Sequence, residues 1–258
     1  MNNLTEMPNT NSLFISVIVP VYNGQRFLAQ AIENIQGQKY QPLEIIVVDD
    51  GSTDRTAEIA HKFQDQIHYI YQPNQGPSAA RNHGIENARG EAIAFLDVDD
   101  LWEEGVLTEF ADYLVAHPQV GIVQGLIQQM QRSPGLSEND FYQFKSIFQP
   151  YQFINLGSAL YRRSVFDQVG LFDPKLQDNE DTDWFIRAWE NNIHKVVIPR
   201  VMLYYQKHDQ NMTRQQKDLV HFGMLKIYKR HIDRLRSQGN EKPSPSVSWP
   251  SYCGQPPE

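Results

Sequence analysis

The chain has 258 residues, of which 40% are hydrophobic and 21% are charged, and its formal net charge is −8. This composition predicts a folded domain rather than disorder, and the acidic balance argues against sequence-independent nucleic-acid binding, which needs clustered Lys and Arg. The single cysteine, Cys253, cannot form an internal disulfide, so a reducing compartment is expected.

The N-terminal part of the chain alternates strand-like and helix-like patterns. Apolar and β-branched runs predict buried strands at 14–19, 43–48, 67–71 and 92–96. Apolar residues at helical spacing follow the first two strands, and Pro77 stands where a further helix would begin. This alternation predicts an α/β fold with a mostly parallel sheet flanked by helices, an α/β/α sandwich, with ligands at the carboxyl ends of the strands.

The C-terminal part is less regular. Apolar periodicity predicts helices at 103–116, 181–191 and 214–235, and two short strands at 196–198 and 202–206. Between the first two of these helices, residues 128–151 are polar and aromatic, and we interpret them as an active-site loop or an excursion of the chain.

The two ends of the chain differ in composition from the middle. Residues 1–12 are polar, and residues 237–258 are rich in Pro and Ser, so both are predicted to be flexible. The predicted domain therefore covers residues 13–236. Removal of the C-terminal tail is expected to leave stability nearly unchanged.

Acidic residues cluster after the fourth predicted strand, at Asp97, Asp99 and Asp100. Three carboxylates in four residues repel one another unless a cation joins them, and hard divalent cations prefer oxygen ligands. Capping of the following helix is the alternative. Asp49 and Asp50 close the second strand, where a carboxylate can accept the imide N–H of uracil or a ribose hydroxyl, or form ordinary loop contacts.

Two further segments could contact a nucleotide. Tyr22, after Pro20 at the end of the first strand, offers an aromatic face on which a base could stack. Arg81, one turn into a predicted helix, could bind a diphosphate or form a surface ion pair. Neither a G-x-G-x-x-G fingerprint nor a P-loop occurs in the sequence, which argues against dinucleotide dehydrogenases and P-loop NTPases.

In their order and spacing, the segments SVIVPVYN, EIIVVDDGSTD, NQGPSAARNHGI and AIAFLDVDD resemble glycosyltransferase family 2, the inverting nucleotide-sugar transferases of the Rossmann-like GT-A fold. The resemblance continues through GLFD at 170–173, EDTDW at 180–184 with Arg187, and YQKH at 205–208. Because several independent motifs occur in one order, the resemblance is specific to the family, although not to one substrate.

The resemblance implies a donor site formed by five residues. Pro20 and Tyr22 would flank the base, and Asp50 would accept a hydrogen bond from it. Arg81 would lie near the nucleotide, and Asp97 would contact the ribose or the metal.

The resemblance also implies a metal site and a catalytic base. Asp99 and His208 would bind Mn²⁺ or Mg²⁺, and Asp181 would be the base. Glu180 or Asp183 is the alternative base, with Asp181 capping its helix. Gln206 departs from the family pattern, in which Arg is frequent, and this weakens the expected contact with the diphosphate.

The implied activity is direct transfer of a sugar, with inversion, from a nucleoside-diphosphate sugar to an acceptor hydroxyl on a carbohydrate or lipid-linked glycan, as in polysaccharide biosynthesis. A UDP-linked donor is favoured. Two alternatives stay open: a nucleotidyltransferase, which would want a Gly-rich basic loop after the first strand, and a catalytically silent nucleotide-sugar-binding module.

No basic region followed by an apolar stretch marks a signal peptide at the N-terminus, and the longest apolar run, 13–22, is too short to span a bilayer. We therefore expect a cytoplasmic protein. Association with the inner face of the membrane stays open, because it would need a surface patch or a partner. The oligomeric state is not predicted.

Overall fold

The computed structural model describes residues 12–132, 144–176, 179–208, 217–238 and 248–254. The predicted flexible N-terminus lies outside these ranges up to residue 11, and so do residues 133–143 of the predicted active-site loop.

The described residues form one nine-stranded sheet, with strands β1 Ile15–Val21, β2 Leu43–Asp49, β3 His68–Tyr71, β4 Ala92–Phe95, β5 Leu101–Trp102, β6 Ile122–Arg132, β7 Phe144–Ser146, β8 Ala159–Arg162 and β9 Lys195–Lys207. The strand order is β3-β2-β1-β4-β8-β6-β9-β5, and β7 pairs with β6. Strands β1 to β4 are parallel, whereas β8 is antiparallel to both of its neighbours. The α/β prediction is confirmed, and the sheet is mixed beyond β4.

The helices of the described residues are α1 Leu28–Gly37, α2 Thr56–His61, α3 Pro77–Asn87, α4 Val106–Ala116, α5 Arg163–Val169, α6 Glu180–Glu190, α7 Lys217–Gln238 and α8 Trp249–Cys253. They cover both faces of the sheet, as a parallel βαβ arrangement requires. Val17 and Val19 of β1 pack in one core with α1 and α4, while Ile18 packs in a second core with α3 and α6. The strand alternation of β1 thus separates two apolar layers.

Strand β9 is continuous where the sequence predicted two short strands. Its register against β6 shifts where Gln124 pairs with Val197 and Leu126 with Val201. Pro199 lies in the extra stretch, and a proline without an N–H is tolerated in a sheet at such an irregularity. The apparent gap between the predicted strands is therefore a bulge within one strand.

Two predictions about loops and tails are wrong for particular residues. Residues 128–132 belong to β6 and residues 144–146 to β7, so the predicted active-site loop is partly a β-hairpin arm. In the predicted flexible tail, α8 is helical, with Tyr252 and Cys253 buried. The ring of Trp249 lies 5.6 Å from that of Trp189. Because truncation would expose these contacts, we now expect it to lower stability.

None of the helices in the described ranges combines the length and the apolar character that crossing a bilayer requires.

Candidate functional site

The loops after β1 and β2 are joined to each other by hydrogen bonds. The backbone N–H of Asn23 donates to the Ser52 hydroxyl over 2.8 Å, and the N–H of Thr53 donates to Asn23 Oδ1 over 2.8 Å. Pro20 lies within the end of β1, and the Tyr22 side chain that follows is 54% exposed. The two loops therefore hold a free aromatic face at the carboxyl edge of the sheet.

Asp50 is buried and organises the loop that leads into α3. Its Oδ1 accepts from Gln72 Nε2 at 2.7 Å and from the Gln75 N–H at 2.9 Å, and its Oδ2 accepts from the Gly76 N–H at 2.8 Å. A carboxylate has about four acceptor positions, so about one remains for a ligand. The loop is thus the main partner of Asp50.

Arg81 of α3 connects two acidic segments that are far apart in the chain. One terminal nitrogen donates to Asp97 Oδ1 over 2.7 Å, and the other donates to Glu180 Oε1 over 2.6 Å. Burial alone would lower the pKa of the Arg81 guanidinium, but the charges of Asp97 and Glu180 raise it above its ordinary value. Arg81 therefore stays charged, and its terminal nitrogens bind carboxylates of the protein.

Asp99 and Asp100 point to different partners although they are adjacent. Asp100 is buried, and its Oδ1 accepts from the Gln206 N–H at 2.9 Å. Burial raises the pKa of Asp100, and the charges of Asp99 and Asp97 raise it further. Asp99 Oδ2 instead lies 2.9 Å from Nε2 of His208. Asp100 therefore anchors the end of β9, and Asp99 faces the site.

Asp99 and His208 fit a divalent cation, although the described residues contain no group of three or more acidic, His or Cys side chains arranged to hold one. The His208 ring is stacked on Phe27, with the ring centroids 4.9 Å apart, which fixes the imidazole beside Asp99. A separation of 2.9 Å is also close to that of neighbouring ligands on an octahedral ion with bonds of about 2.1 Å. Mg²⁺ sites commonly use one or two carboxylates and complete their coordination with water and substrate phosphates.

Asp181 stands in the first turn of α6, directly after Asn179 and Glu180. Its Oδ1 accepts from the Thr182 N–H at 2.6 Å. Burial and the neighbouring Glu180 charge raise the pKa of Asp181 from 3.8 to about 7, against the lowering effects of Thr182 and Arg81. A carboxyl that titrates near neutral pH can accept a proton in its ionised form.

The two alternative bases are held in ion pairs. Glu180 is bound by Arg81, and Asp183 accepts from Arg187 Nε at 2.9 Å. Asp183 also lies 3.4 Å from a terminal nitrogen of Arg234. These contacts give Glu180 and Asp183 structural partners, whereas the hydrogen bonds described for Asp181 come from Thr182.

Sequence reasoning missed two features of the site. It did not place Phe27, which directly precedes α1, against His208. It also did not link Arg81 to Asp97 and Glu180, which lie 16 and 99 positions away along the chain. Contacts at such separations leave no periodic signal in one sequence.

Residues 16–170 match the sequence model of the family described as Glycosyl transferase family 2. An uncharacterized glycosyltransferase of Rickettsia typhi is 36% identical over 188 residues, which are 69% of this chain and 59% of that protein. Glycosyltransferase GlyA of Streptococcus pneumoniae is 35% identical over 179 residues, which are 68% of this chain and 23% of that protein. The chain thus spans less than two thirds of the length of these curated relatives.

Two solved structures are similar in fold. S. aureus TarS 1-349 in complex with UDP has a TM-score of 0.61 and 22% identity, and the match covers 75% of this chain and 60% of that one. The mannosyltransferase PcManGT of Pyrobaculum calidifontis, in complex with GDP-Man and Mn²⁺, has a TM-score of 0.65 and 20% identity, with 91% and 67% covered. At these identities the likeness concerns the fold, and it confirms the predicted GT-A architecture.

Proposed function

The chain belongs to glycosyltransferase family 2, and from this premise we propose that it transfers a sugar from a nucleoside-diphosphate sugar to an acceptor hydroxyl, with inversion at the anomeric carbon. One observation carries the proposal. The Asp181 carboxyl, whose pKa is raised to about 7, lies beside Glu180. Arg81 forms ion pairs with both Glu180 and Asp97, and Asp97 follows the carboxyl end of β4, where we place the donor. These contacts support a base that is adjacent to the proposed donor site.

The donor would lie across the carboxyl edge of β1, β2 and β4. Pro20 and the exposed Tyr22 ring would contact the base, and Asp97 would contact the ribose. Asp50 could use its remaining acceptor position for an imide N–H, which favours a UDP-linked donor. TarS has been crystallised with UDP and UDP-GlcNAc and PcManGT with GDP-Man, so both bases belong in the test.

Asp99 and His208 would hold the cation, Mn²⁺ or Mg²⁺. When bound, such an ion stabilises the negative charge that develops on the leaving diphosphate. The protein's own contribution at this position is to keep an oxygen and a nitrogen ligand 2.9 Å apart, with the imidazole fixed against Phe27.

Asp181 would act on the acceptor. In its ionised form it takes the proton of the acceptor hydroxyl while that oxygen bonds to the anomeric carbon, and the bond from that carbon to the diphosphate oxygen breaks on the opposite face. A single displacement of this kind inverts the configuration. A positioned base contributes roughly 10²–10⁴-fold to the rate.

The acceptor and the setting are further parts of the proposal. We take the acceptor to be a carbohydrate or lipid-linked glycan in polysaccharide assembly, on the cytoplasmic side of the membrane. The lone cysteine, which suits a reducing compartment, supports the setting. Fractionation of host cells with an antibody against the protein would contradict this setting if the protein appeared outside the cytoplasmic and inner-membrane fractions.

The central experiment incubates the protein with UDP-, GDP- and dTDP-sugars and a panel of glycan acceptors, with Mn²⁺ or with EDTA. We expect metal-dependent release of nucleoside diphosphate and, by proton NMR, a product of opposite anomeric configuration to the donor. Donor binding without any release would support a silent module. Pyrophosphate release from a nucleoside triphosphate and a sugar phosphate would support a nucleotidyltransferase.

A further inference from the structure

The Arg81 side chain lies between the two acidic clusters of the site. Its residue is 6% exposed, and its terminal nitrogens reach Asp97 over 2.7 Å and Glu180 over 2.6 Å. Its Nε–H is buried without a hydrogen-bond partner among the described residues. A buried donor without a partner costs stability, so a stabilising role alone does not explain the buried position of Arg81.

The helix that carries Arg81 is fixed on the same side as its guanidinium. Asn82, the next residue, donates to the Phe172 carbonyl over 2.8 Å and accepts from the Phe172 N–H at 2.9 Å. Ser78, one turn earlier, donates to the Leu176 carbonyl over 3.3 Å. Residues 78, 81 and 82 lie close together on α3, so this part of the helix contacts Phe172, Leu176 and Glu180, which stand before and at the start of α6.

We propose that Arg81 is a positioning residue, which clamps Asp97 at the donor site to Glu180 and so holds the neighbouring base Asp181 at a fixed distance from the donor. The inference rests on the proposed function. It departs from the sequence prediction that Arg81 serves the nucleotide directly, because both terminal nitrogens already bind carboxylates. The planar, forked guanidinium can bind two carboxylates at once, which the compact ammonium of a lysine cannot do in the same geometry.

The clamp also sets the charge around Asp181. Glu180 faces Asp181 from its own helix, Arg81 from α3 and the Tyr161 hydroxyl from β8. Beyond burial, the Glu180 charge raises the pKa of Asp181, and the Arg81 charge lowers it. Neutralising one member or the other should therefore move the titration of Asp181 in opposite directions, and a change in kcat at an unchanged midpoint reports the position of the base separately from its charge.

The test compares Glu180→Gln, Arg81→Gln and Arg81→Lys with wild type, and uses Arg89→Gln as a matched control. The Arg89 side chain, which is 76% exposed, pairs with the largely buried Glu44 just beyond α3 and contacts neither acidic cluster. Measurements are kcat against pH, donor Kd and thermal unfolding. A ¹³C NMR titration of the Asp181 carboxyl, assigned by its loss in Asp181→Asn, reports the same charge without turnover.

We expect the midpoint of the pH profile to fall by about one unit in Glu180→Gln and to rise by about one unit in Arg81→Gln. Arg81→Lys should keep the wild-type midpoint but lose about tenfold or more in kcat, because one of the two contacts is lost and the base is displaced. Arg89→Gln should match wild type in kcat, in the midpoint of the pH profile and in donor Kd.

Unchanged midpoints in folded Glu180→Gln and Arg81→Gln would overturn the inference. If Arg81→Gln does not fold, an unchanged midpoint in Glu180→Gln together with an unchanged kcat in Arg81→Lys would overturn it equally. If Asp181→Asn turns over as fast as wild type, the proposed function is rejected. The NMR titration of the Asp181 carboxyl in the Glu180 and Arg81 variants would then test the inference without turnover.

Discussion

The two acidic clusters of the site have the same layout and different chemistry. Each places three carboxylates within four residues, namely Asp97, Asp99 and Asp100 in one cluster and Glu180, Asp181 and Asp183 in the other. In each cluster one member is bound by Arg81, and one is buried against a backbone or arginine donor. The third member differs, because Asp99 lies beside the His208 imidazole and the half-buried Asp181 lies beside another acid, Glu180.

The difference shows that partners, rather than the number of acids, decide what a carboxylate does. The His208 imidazole nitrogen 2.9 Å from Asp99 makes the first cluster the proposed cation site. Burial and the Glu180 charge raise the pKa of Asp181 to about 7, which makes Asp181 the proposed base of the second cluster. If this comparison is right, matched Asn substitutions in the two clusters should have effects of different kinds.

The largest effect should come from Asp181→Asn. The amide keeps the shape of the side chain but cannot accept the acceptor proton, so kcat should fall by about 10²–10⁴-fold. Donor Kd, measured by isothermal titration calorimetry with Mn²⁺, should change little. Turnover close to wild type would show that Asp181 is not the base, and the proposed difference between the two clusters would be wrong.

Asp183→Asn should instead lower stability. Asp183 is 2% exposed and paired with Arg187, and breaking a buried ion pair costs about 3 kcal/mol or more. Urea denaturation would measure the loss, and the folded fraction should keep kcat within a few fold. A folded variant that loses turnover as Asp181→Asn does would make Asp183 the base.

Asp99→Asn should weaken the binding of metal and donor together, with at least about tenfold loss of donor affinity in Mn²⁺. EDTA should have the same effect on wild type, because Asp97 and Asp99 would otherwise repel the diphosphate. Asp112→Asn, an exposed position on α4, serves as the control. Equal donor affinity with and without EDTA would reject the proposed cation site, and the proposed difference in function between the two clusters with it.

The smallest effect is a pH-dependent gain in stability. Because the pKa of Asp181 is raised from 3.8 to about 7 in the fold, its stabilising contribution is full below about pH 4 and is lost as the pH rises through 7. Asp181→Asn should therefore match wild type near pH 4 and exceed it by about 1–2 kcal/mol at pH 8, allowing for the partial exposure of the group. A constant difference in unfolding free energy across this range would contradict the raised pKa.

Much of the site was predictable from the sequence because its residues follow strands. Asp50 and Asp97 come directly after buried apolar runs, and parallel strands bring such ends to one edge. The base segment was predicted only through the family resemblance, since nothing local distinguishes Asp181 from Glu180 or Asp183. The ion pairs of Glu180 with Arg81 and of Asp183 with Arg187 support the proposed distinction, and the first of them depends on the packing of α3 against α6.

The sequence by itself determined the parallel half of the sheet, the helices that cover it and the family, because these follow from local periodicity and from motifs in a fixed order. Only the tertiary structure decided that β8 runs antiparallel between β4 and β6, that β9 passes through Pro199 in a bulge, and that α8 docks through Tyr252. It also decided that Arg81 joins the two clusters. Strand pairing, bulges and buried ion pairs are contacts between distant residues, and their free energy depends on which surfaces meet rather than on local propensity.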